Sequence, residues 1–319
     1  MNAGAARRVR MSVSANAQSG LSAHARPMSH RLAVGTMLVA TLLWSIAGVV
    51  TLRLEAARSF EVTFWRSFFN ALTLLILLPW LRGPHRVLRS LRDGGRTLWI
   101  SSVCWCVMFT AFMVALTLTR VANVLVTMAL APLLTALLAR FVLGSRLPGR
   151  TWGAVGVAGI GIAWMYAKEV SAADPRHLLG SLVALGVPAA AAVNWSVIQH
   201  SRAAADHDLL PAVLIGALLS ALLTFPLALP FSGSAHDIAL LALLGVAQLA
   251  ISCLMSVAAA RALSAPEAAL LALLEIVFGV AWAWLGGNEV PTPHVLGGGL
   301  LVIGALAANE ALALRQRLA

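Results

Sequence analysis

The chain contains ten separate apolar runs, each close to the length that a helix needs to cross a lipid bilayer. Such a helix takes about 20 predominantly apolar residues. Hydrophobic residues make up 60% of the chain and charged residues 11%, whereas a soluble domain has about 25% charged residues. A water-soluble enzyme is therefore excluded, and we predict an all-α polytopic membrane protein of ten transmembrane helices. The runs are 32–52, 62–81, 98–118, 121–143, 151–167, 179–199, 209–230, 239–260, 266–286 and 293–313.

Basic residues fall mostly on one side of the predicted membrane. With the N-terminus inside, 17 of the 23 basic residues lie in inside segments, five lie outside, and Arg66 lies within the second span. Cytoplasmic loops carry the excess of Lys and Arg in membrane proteins, so both termini are predicted to be cytoplasmic. The net charge of +11 is scattered through short loops rather than gathered in a patch, which argues against a nucleic-acid partner.

The remaining segments are too short to hold a soluble domain. Residues 1–31 are rich in Ala, Ser and Arg, a composition that predicts a disordered cytoplasmic tail. Residues 168–178 are predicted to form an external loop, and 314–319 a cytoplasmic C-terminus. Any function must therefore reside in the helical bundle, in contact with the lipid bilayer.

The two halves of the chain share a weak internal repeat. Trp-Ser-Ile at 44–46 recurs as Trp-Ser-Val at 195–197, and glycine-rich helices close both halves, at 151–167 and 293–313. Five spans per half give the halves opposite orientations, so 32–167 and 179–313 are predicted to be two inverted five-helix repeats. This architecture suits alternating access around a midplane site; a duplicated structural bundle without a transport role is the alternative.

Several segments resemble the EamA-like family of ten-helix proteins in the drug/metabolite transporter superfamily. The first half carries LLWSIAG (42–48), FWRSFFNALTLL (64–75) and ALAPLLTALLARFVLGSRL (129–147), and the second carries LLEIVFGVAWAWLGGNE (273–289). The resemblance implies a bacterial inner-membrane carrier, typically an exporter of amino acids, metabolites or drugs.

Two charged residues stand out deep within predicted spans, where a charge costs at least ~2.5–3.5 kcal/mol. Arg66 shares a helical face with Asn70, one turn further on, and the planar guanidinium suits a carboxylate or phosphate. Snorkelling of Arg66 to the outer headgroups is the alternative. Glu275 lies roughly 13 Å along its helix from Pro266, at about 1.5 Å per residue. We expect it to be a proton-coupling or substrate-amine site, or else a neutral packing residue, and to pair with Arg66 across the two halves.

Other polar and aromatic residues lie at helical spacing within the spans. Such stripes either line a cavity or join helices by hydrogen bonds. These further candidates for substrate binding or coupling are Trp44, Ser45, Asn123, Thr127, Asn194, Trp195, Gln248 and Ser252.

The sequence favours a secondary transporter of a small metabolite over its two rivals. A membrane-embedded enzyme acting on a lipid or prenyl substrate would need grouped acidic residues, a metal site or a histidine-containing nucleophile set. None is evident in the sequence, so we expect no catalytic residue, metal or cofactor. A sensory or scaffold protein would need an output domain. The expected partner is a small-molecule substrate, and the assembly is either a monomer or a homodimer.

Overall fold

The computed structural model describes residues 28–57, 59–142, 149–171, 175–202, 209–260, 262, 265–287 and 290–318. Most of the predicted N-terminal tail lies outside these ranges. Every regular element within them is a helix, which confirms the all-α prediction. In chain order they are α1 (His30–Ser45), α2 (Ala47–Thr51), α3 (Ser59–Arg82), α4 (Pro84–Asp93), α5 (Gly95–Leu118), α6 (Val121–Met128), α7 (Ala131–Val142), α8 (Gly149–Ser171), α9 (Pro175–Ala184), α10 (Gly186–Arg202), α11 (Leu210–Ala228), α12 (Ala235–Leu243), a π-helical segment (Leu244–Ile251), α13 (Ser252–Ala260), α14 (Ala265–Gly287) and α15 (Pro293–Leu318).

Helices lie over each of the ten predicted spans. In the described part of the chain, six helices are long and apolar enough to cross a membrane, and two shorter apolar stretches, Leu274–Gly286 and Pro293–Asn309, lie within α14 and α15. The loop predicted at 168–178 is largely helical, because α8 continues to Ser171 and α9 begins at Pro175. The six membrane-length helices are His30–Thr51, Phe60–Arg82, Gly95–Leu118, Arg176–Asn194, Leu210–Ala228 and Ala235–Ser256.

Two of the helix breaks have a proline as their physical cause. Proline has no N–H for the carbonyl four residues earlier, and its ring crowds that carbonyl. Pro132 follows the end of α6 at Met128 by four residues, and Pro188 follows the end of α9 at Ala184 by the same distance. The fourth and sixth predicted spans are therefore each built from two helical pieces.

The π-helical segment packs closely against the backbone of α3. A Cβ atom built on Gly245 would lie 2.7 Å from the carbonyl oxygen of Arg66 and 2.8 Å from the backbone nitrogen of Asn70. Only glycine permits this approach without a shift of backbone atoms. Wide π turns within α-helices are frequent at functional sites, and this one adjoins two of the candidate residues.

The bundle interior is made by a few close helix pairs. α11 packs against both α3 and α5, α14 packs against α1 and α6, and α8 packs along α15. The last pair is close because glycines meet: a Cβ on Gly161 would lie 2.7 Å from the carbonyl oxygen of Gly298. Small residues at an interface let membrane helices approach in this way.

Candidate functional site

Arg66 lies in the protein interior, with only 2% of its surface exposed. Its Nε and Nη2 atoms donate hydrogen bonds to Oε1 of Gln248, at 3.2 and 2.9 Å. The guanidinium carbon lies 5.2 Å from the ring centre of Phe112, within the range of a cation–π contact. The guanidinium is thus held by α5 and the π-helical segment rather than directed to the headgroups.

Gln248 connects this arginine to the first predicted span. Its Nε2 atom donates to the carbonyl oxygen of Trp44 at 3.3 Å, which leaves the amide oxygen directed at Arg66. Ser252 turns back on its own helix, where its Oγ donates to the carbonyl oxygens of Gln248 and Leu249. Residues of three sequence segments, around 44, 66 and 248, therefore meet at one place.

Part of the hydrogen-bonding capacity at this place is unused by the described residues. Nη1 of Arg66 and both side-chain atoms of Asn70, Nδ2 and Oδ1, are buried and have no partner among them. A buried polar group left unpaired costs about 1–3 kcal/mol, and more if it is charged. The site thus presents donors and one acceptor, on successive turns of α3, to any polar molecule that enters.

Glu275 belongs to the same region of the bundle. It lies on α14, is partly exposed, and its charge acts on both Arg66 and Cys253. The action on Arg66 is through space, because the hydrogen bonds of that guanidinium go to Gln248. The two intramembrane charges singled out from the sequence, one in each half of the chain, therefore lie within electrostatic range of each other.

Ser45 lies next to this region and joins α14 to α1. It is 2% exposed, donates to the carbonyl oxygen of Leu42 at 2.7 Å, and accepts a bond from the indole nitrogen of Trp282 at 3.1 Å. These contacts orient the helix that carries Glu275.

Three of the remaining candidate residues, Asn123, Thr127 and Asn194, form hydrogen bonds away from Arg66. Asn123 donates to Oγ1 of Thr119 at 3.2 Å, and Thr127 donates to the carbonyl oxygen of Asn123 at 2.7 Å, both within one stretch of chain. Asn194 accepts a bond from Ser101 at 2.7 Å, which joins α10 to α5. The side chain of Trp195 lies outside the described residues. None of these hydrogen bonds reaches Arg66 or Gln248.

Two buried carboxylates outside the candidate set join the halves at one end of the bundle. Glu61, fully buried on α3, accepts bonds from the backbone nitrogens of Ser232 and Gly233 at 2.9 and 2.8 Å, and from Oγ of Ser232 at 2.9 Å. It thereby binds the loop that precedes α12.

Asp237 makes the reciprocal connection. It is fully buried and accepts three backbone N–H groups, those of Glu55, Ala56 and Ala57, each at 2.9 Å. Its own N–H donates to Ser234, which completes a capping box at the start of α12. The pattern Ser-x-x-Asp was a readable signal for the cap, but the partners some 180 residues away were not. We call Glu61 and Asp237, with the loops they bind, the carboxylate clasp.

The described residues contain no group of three or more His, Cys, Asp or Glu side chains that could hold a metal ion.

Comparison with known proteins agrees with the resemblance read from the sequence. The profile of the EamA-like transporter family matches residues 31–167, which confirms the predicted relation to the drug/metabolite transporter superfamily for this half. No curated protein matches the chain significantly. One solved crystal structure superposes with a TM-score of 0.60 at 19% identity, covering 90% of this chain and 98% of its own, a likeness that shows the fold alone. The apolar helices and the family profile together support a multi-pass membrane protein whose residues 31–167 are similar to a transporter family.

Proposed function

We propose that this chain, whose residues 31–167 carry the EamA-like transporter family profile, is a secondary transporter. It would export a small metabolite with an anionic group across the bacterial inner membrane by alternating access. The observation that carries the proposal is the buried Arg66: among the described residues neither its Nη1 atom nor the adjacent amide of Asn70 has a hydrogen-bond partner.

This pair suits a carboxylate or phosphate on the substrate. The end of the guanidinium that Gln248 does not hold, Nη1 with the second N–H of Nη2, can donate parallel hydrogen bonds to two oxygens of such a group, and Nδ2 of Asn70 adds a donor one helical turn away. Gln248 holds the guanidinium in place but brings no negative charge. The positive charge of Arg66 is therefore not neutralised by its hydrogen-bonded partner and can attract an anionic ligand.

Glu275 supplies a means of coupling. While ionised, its carboxylate lowers the attraction of Arg66 for an anionic substrate; once protonated, it leaves that attraction undiminished. A carboxyl group within the membrane is costly as an unpaired charge, so exchange of its proton and arrival of the substrate are linked. The partial exposure of Glu275 supports contact with the transport pathway.

The helix contacts support two inverted repeats, 32–167 and 179–313, around this site. An inverted repeat predicts that each contact between two spans recurs when every span is exchanged for its counterpart in the other half. The contact of α3 with the π segment then becomes that of α11 with α5, and the contact of α1 with α14 becomes that of α10 with α7. All four of these contacts are present in the structure. The pairs α3–α11, α6–α14 and α8–α15 each join two corresponding spans, so the exchange turns each of these contacts into itself.

The carboxylate clasp supports the proposal that this end of the bundle opens and closes during transport. Both of its loops lie on the predicted external side, and each carboxylate reaches from one half to the other. Arg53 adds a third link, since its guanidinium donates to the carbonyl oxygen of Gly286 at the end of α14. These links support a state in which this end is closed, as an exporter awaiting substrate from the cytoplasm requires.

Release of metabolites from loaded liposomes tests the proposal. Purified protein is reconstituted with a total extract of small metabolites enclosed, and the outside medium is analysed by mass spectrometry. At least one carboxylate or phosphate compound should leave unchanged, faster than from protein-free liposomes and from liposomes with Arg66→Ala. Release of no compound, or chemical conversion of the released compounds, would overturn the assignment as a carrier.

A further inference from the structure

The short helix α4, between α3 and α5, separates charged from apolar residues around its axis. Residues 82–96 contain five arginines and one histidine against a single acidic residue, Asp93. At 100° per residue, His85, Arg89 and Arg92 share one arc of the helix. Val87 and Leu91 lie on the opposite arc. The helix is amphipathic, with a strongly basic face.

The position of α4 in the bundle places this basic face at the membrane surface. Val87 is buried in an apolar cluster formed with α3 and α11, so the helix lies against the bundle. Trp80 and Trp99, at the adjoining ends of α3 and α5, are 79% and 57% exposed. Exposed tryptophans near the ends of spans mark the level of the lipid headgroups.

A shallow depression lies on the exposed side of α4. It has a volume of about 430 Å³ and is lined by His85, Leu88, Arg89, Arg92 and Asp93. Leu88 is 66% exposed and adjoins the two arginines. The lining therefore combines two guanidinium groups, which suit a phosphate, with an apolar side chain that a free phosphate would leave uncovered.

From this placement we propose that α4 binds the headgroup of an anionic phospholipid, with Arg89 and Arg92 on the phosphate and Leu88 against the start of an acyl chain. The charge is complementary to the anionic lipids of the cytoplasmic leaflet, which basic clusters beside membrane helices attract. This side of the protein is the cytoplasmic one in the predicted topology. The lipid site is separate from the substrate site around Arg66 and does not depend on it.

Lipid retention by the purified protein tests the proposal. The full chain in detergent is incubated with equal amounts of phosphatidylglycerol and phosphatidylcholine, and bound lipids are counted by native mass spectrometry. Wild-type protein should retain phosphatidylglycerol preferentially. In the variant R86Q/R89Q/R92Q the ratio of bound phosphatidylglycerol to bound phosphatidylcholine should fall at least roughly five-fold. The variant R120Q/R176Q, with two arginines removed at the predicted external side, should keep the wild-type ratio. Should the triple variant fail to fold, Arg89→Gln and Arg92→Gln are measured singly.

Two further arms separate a lipid from a free phosphate. Leu88→Gln should lower retention of phosphatidylglycerol. A large excess of glycerol phosphate, added to wild-type protein, should leave retention of phosphatidylglycerol unchanged. Equal preference in wild type and in the arginine variants would overturn the proposal. So would full competition by glycerol phosphate together with normal retention by Leu88→Gln, since the site would then recognise phosphate alone.

Discussion

Arg66 and Gln248 are joined by two hydrogen bonds to a single amide oxygen, at 3.2 and 2.9 Å, deep in the bundle. The partner of this buried cation is thus a neutral amide that is itself anchored on the carbonyl oxygen of Trp44. Such a partner fixes the direction of the guanidinium without cancelling its charge. A positive charge held in this way attracts anions strongly, because the surroundings screen it less than water does.

Conversion of Gln248 to Glu tests this relationship. The new carboxylate would form an ion pair with Arg66 and compete with an anionic substrate, so flux should fall by at least roughly ten-fold, a loss of about 1.4 kcal/mol in transition-state binding. Flux of the compound released from loaded liposomes is the measurement. Gln248→Met is the matched control, because it removes the hydrogen bonds without adding charge, and it should retain more flux than Gln248→Glu. Equal flux in Gln248→Glu and wild type would contradict the account.

Asp237→Asn tests the carboxylate clasp. Hydrogen bonds to a charged acceptor contribute about 1.5–3 kcal/mol each, and Asn keeps only one of the two acceptor oxygens. We expect a loss of about 2 kcal/mol in the free energy of unfolding, measured by thermal or denaturant unfolding in detergent. Asp93→Asn, at an exposed position on α4, is the control and should be neutral. Unchanged stability of Asp237→Asn would show that the clasp is not a stabilising contact.

The clasp also shows where the sequence stops being informative. The apolar runs predicted the helices because each run depends only on local composition. The common face of Arg66 and Asn70 follows from helical spacing alone. By contrast, the bond from Glu55 to Asp237 joins residues 182 positions apart, and no spacing rule reaches that far. The same holds for Gln248, which was a candidate on polarity but whose contact with Arg66 depends on how α3 meets the π segment.

Reporter fusions test the predicted orientation. Fusions after Arg89 and Arg317 should report the cytoplasm, and a fusion after Arg176 should report the outside, because basic loops are retained on the cytoplasmic side. A pair of reporters with opposite compartment requirements, such as alkaline phosphatase and a fluorescent protein, provides the control at each site. A cytoplasmic signal at Arg176 would mean that the number or order of spans differs from ten.

Glu275→Gln tests proton coupling. The substitution preserves the shape of the side chain but removes its titration, so the pH dependence of flux should disappear while exchange of substrate across the membrane continues. Flux is measured in liposomes across a series of external and internal pH values. Glu267→Gln, at the start of the same predicted span, is the matched control and should keep the wild-type profile. A wild-type rate and pH profile in Glu275→Gln would make that residue a packing residue.

The central claim is that Arg66 binds the anionic group of the substrate, and counterflow of the released compound in reconstituted protein tests it most directly. Arg66→Ala should lose at least roughly a hundred-fold, as expected when a charged hydrogen-bonding partner is removed from a buried site. Arg66→Lys should remain well below wild type, because an ammonium cannot reproduce the planar fork. Arg120→Ala, exposed at the start of α6, should transport normally. Normal counterflow in Arg66→Ala that is correctly inserted would contradict the account and reduce Arg66 to a structural residue.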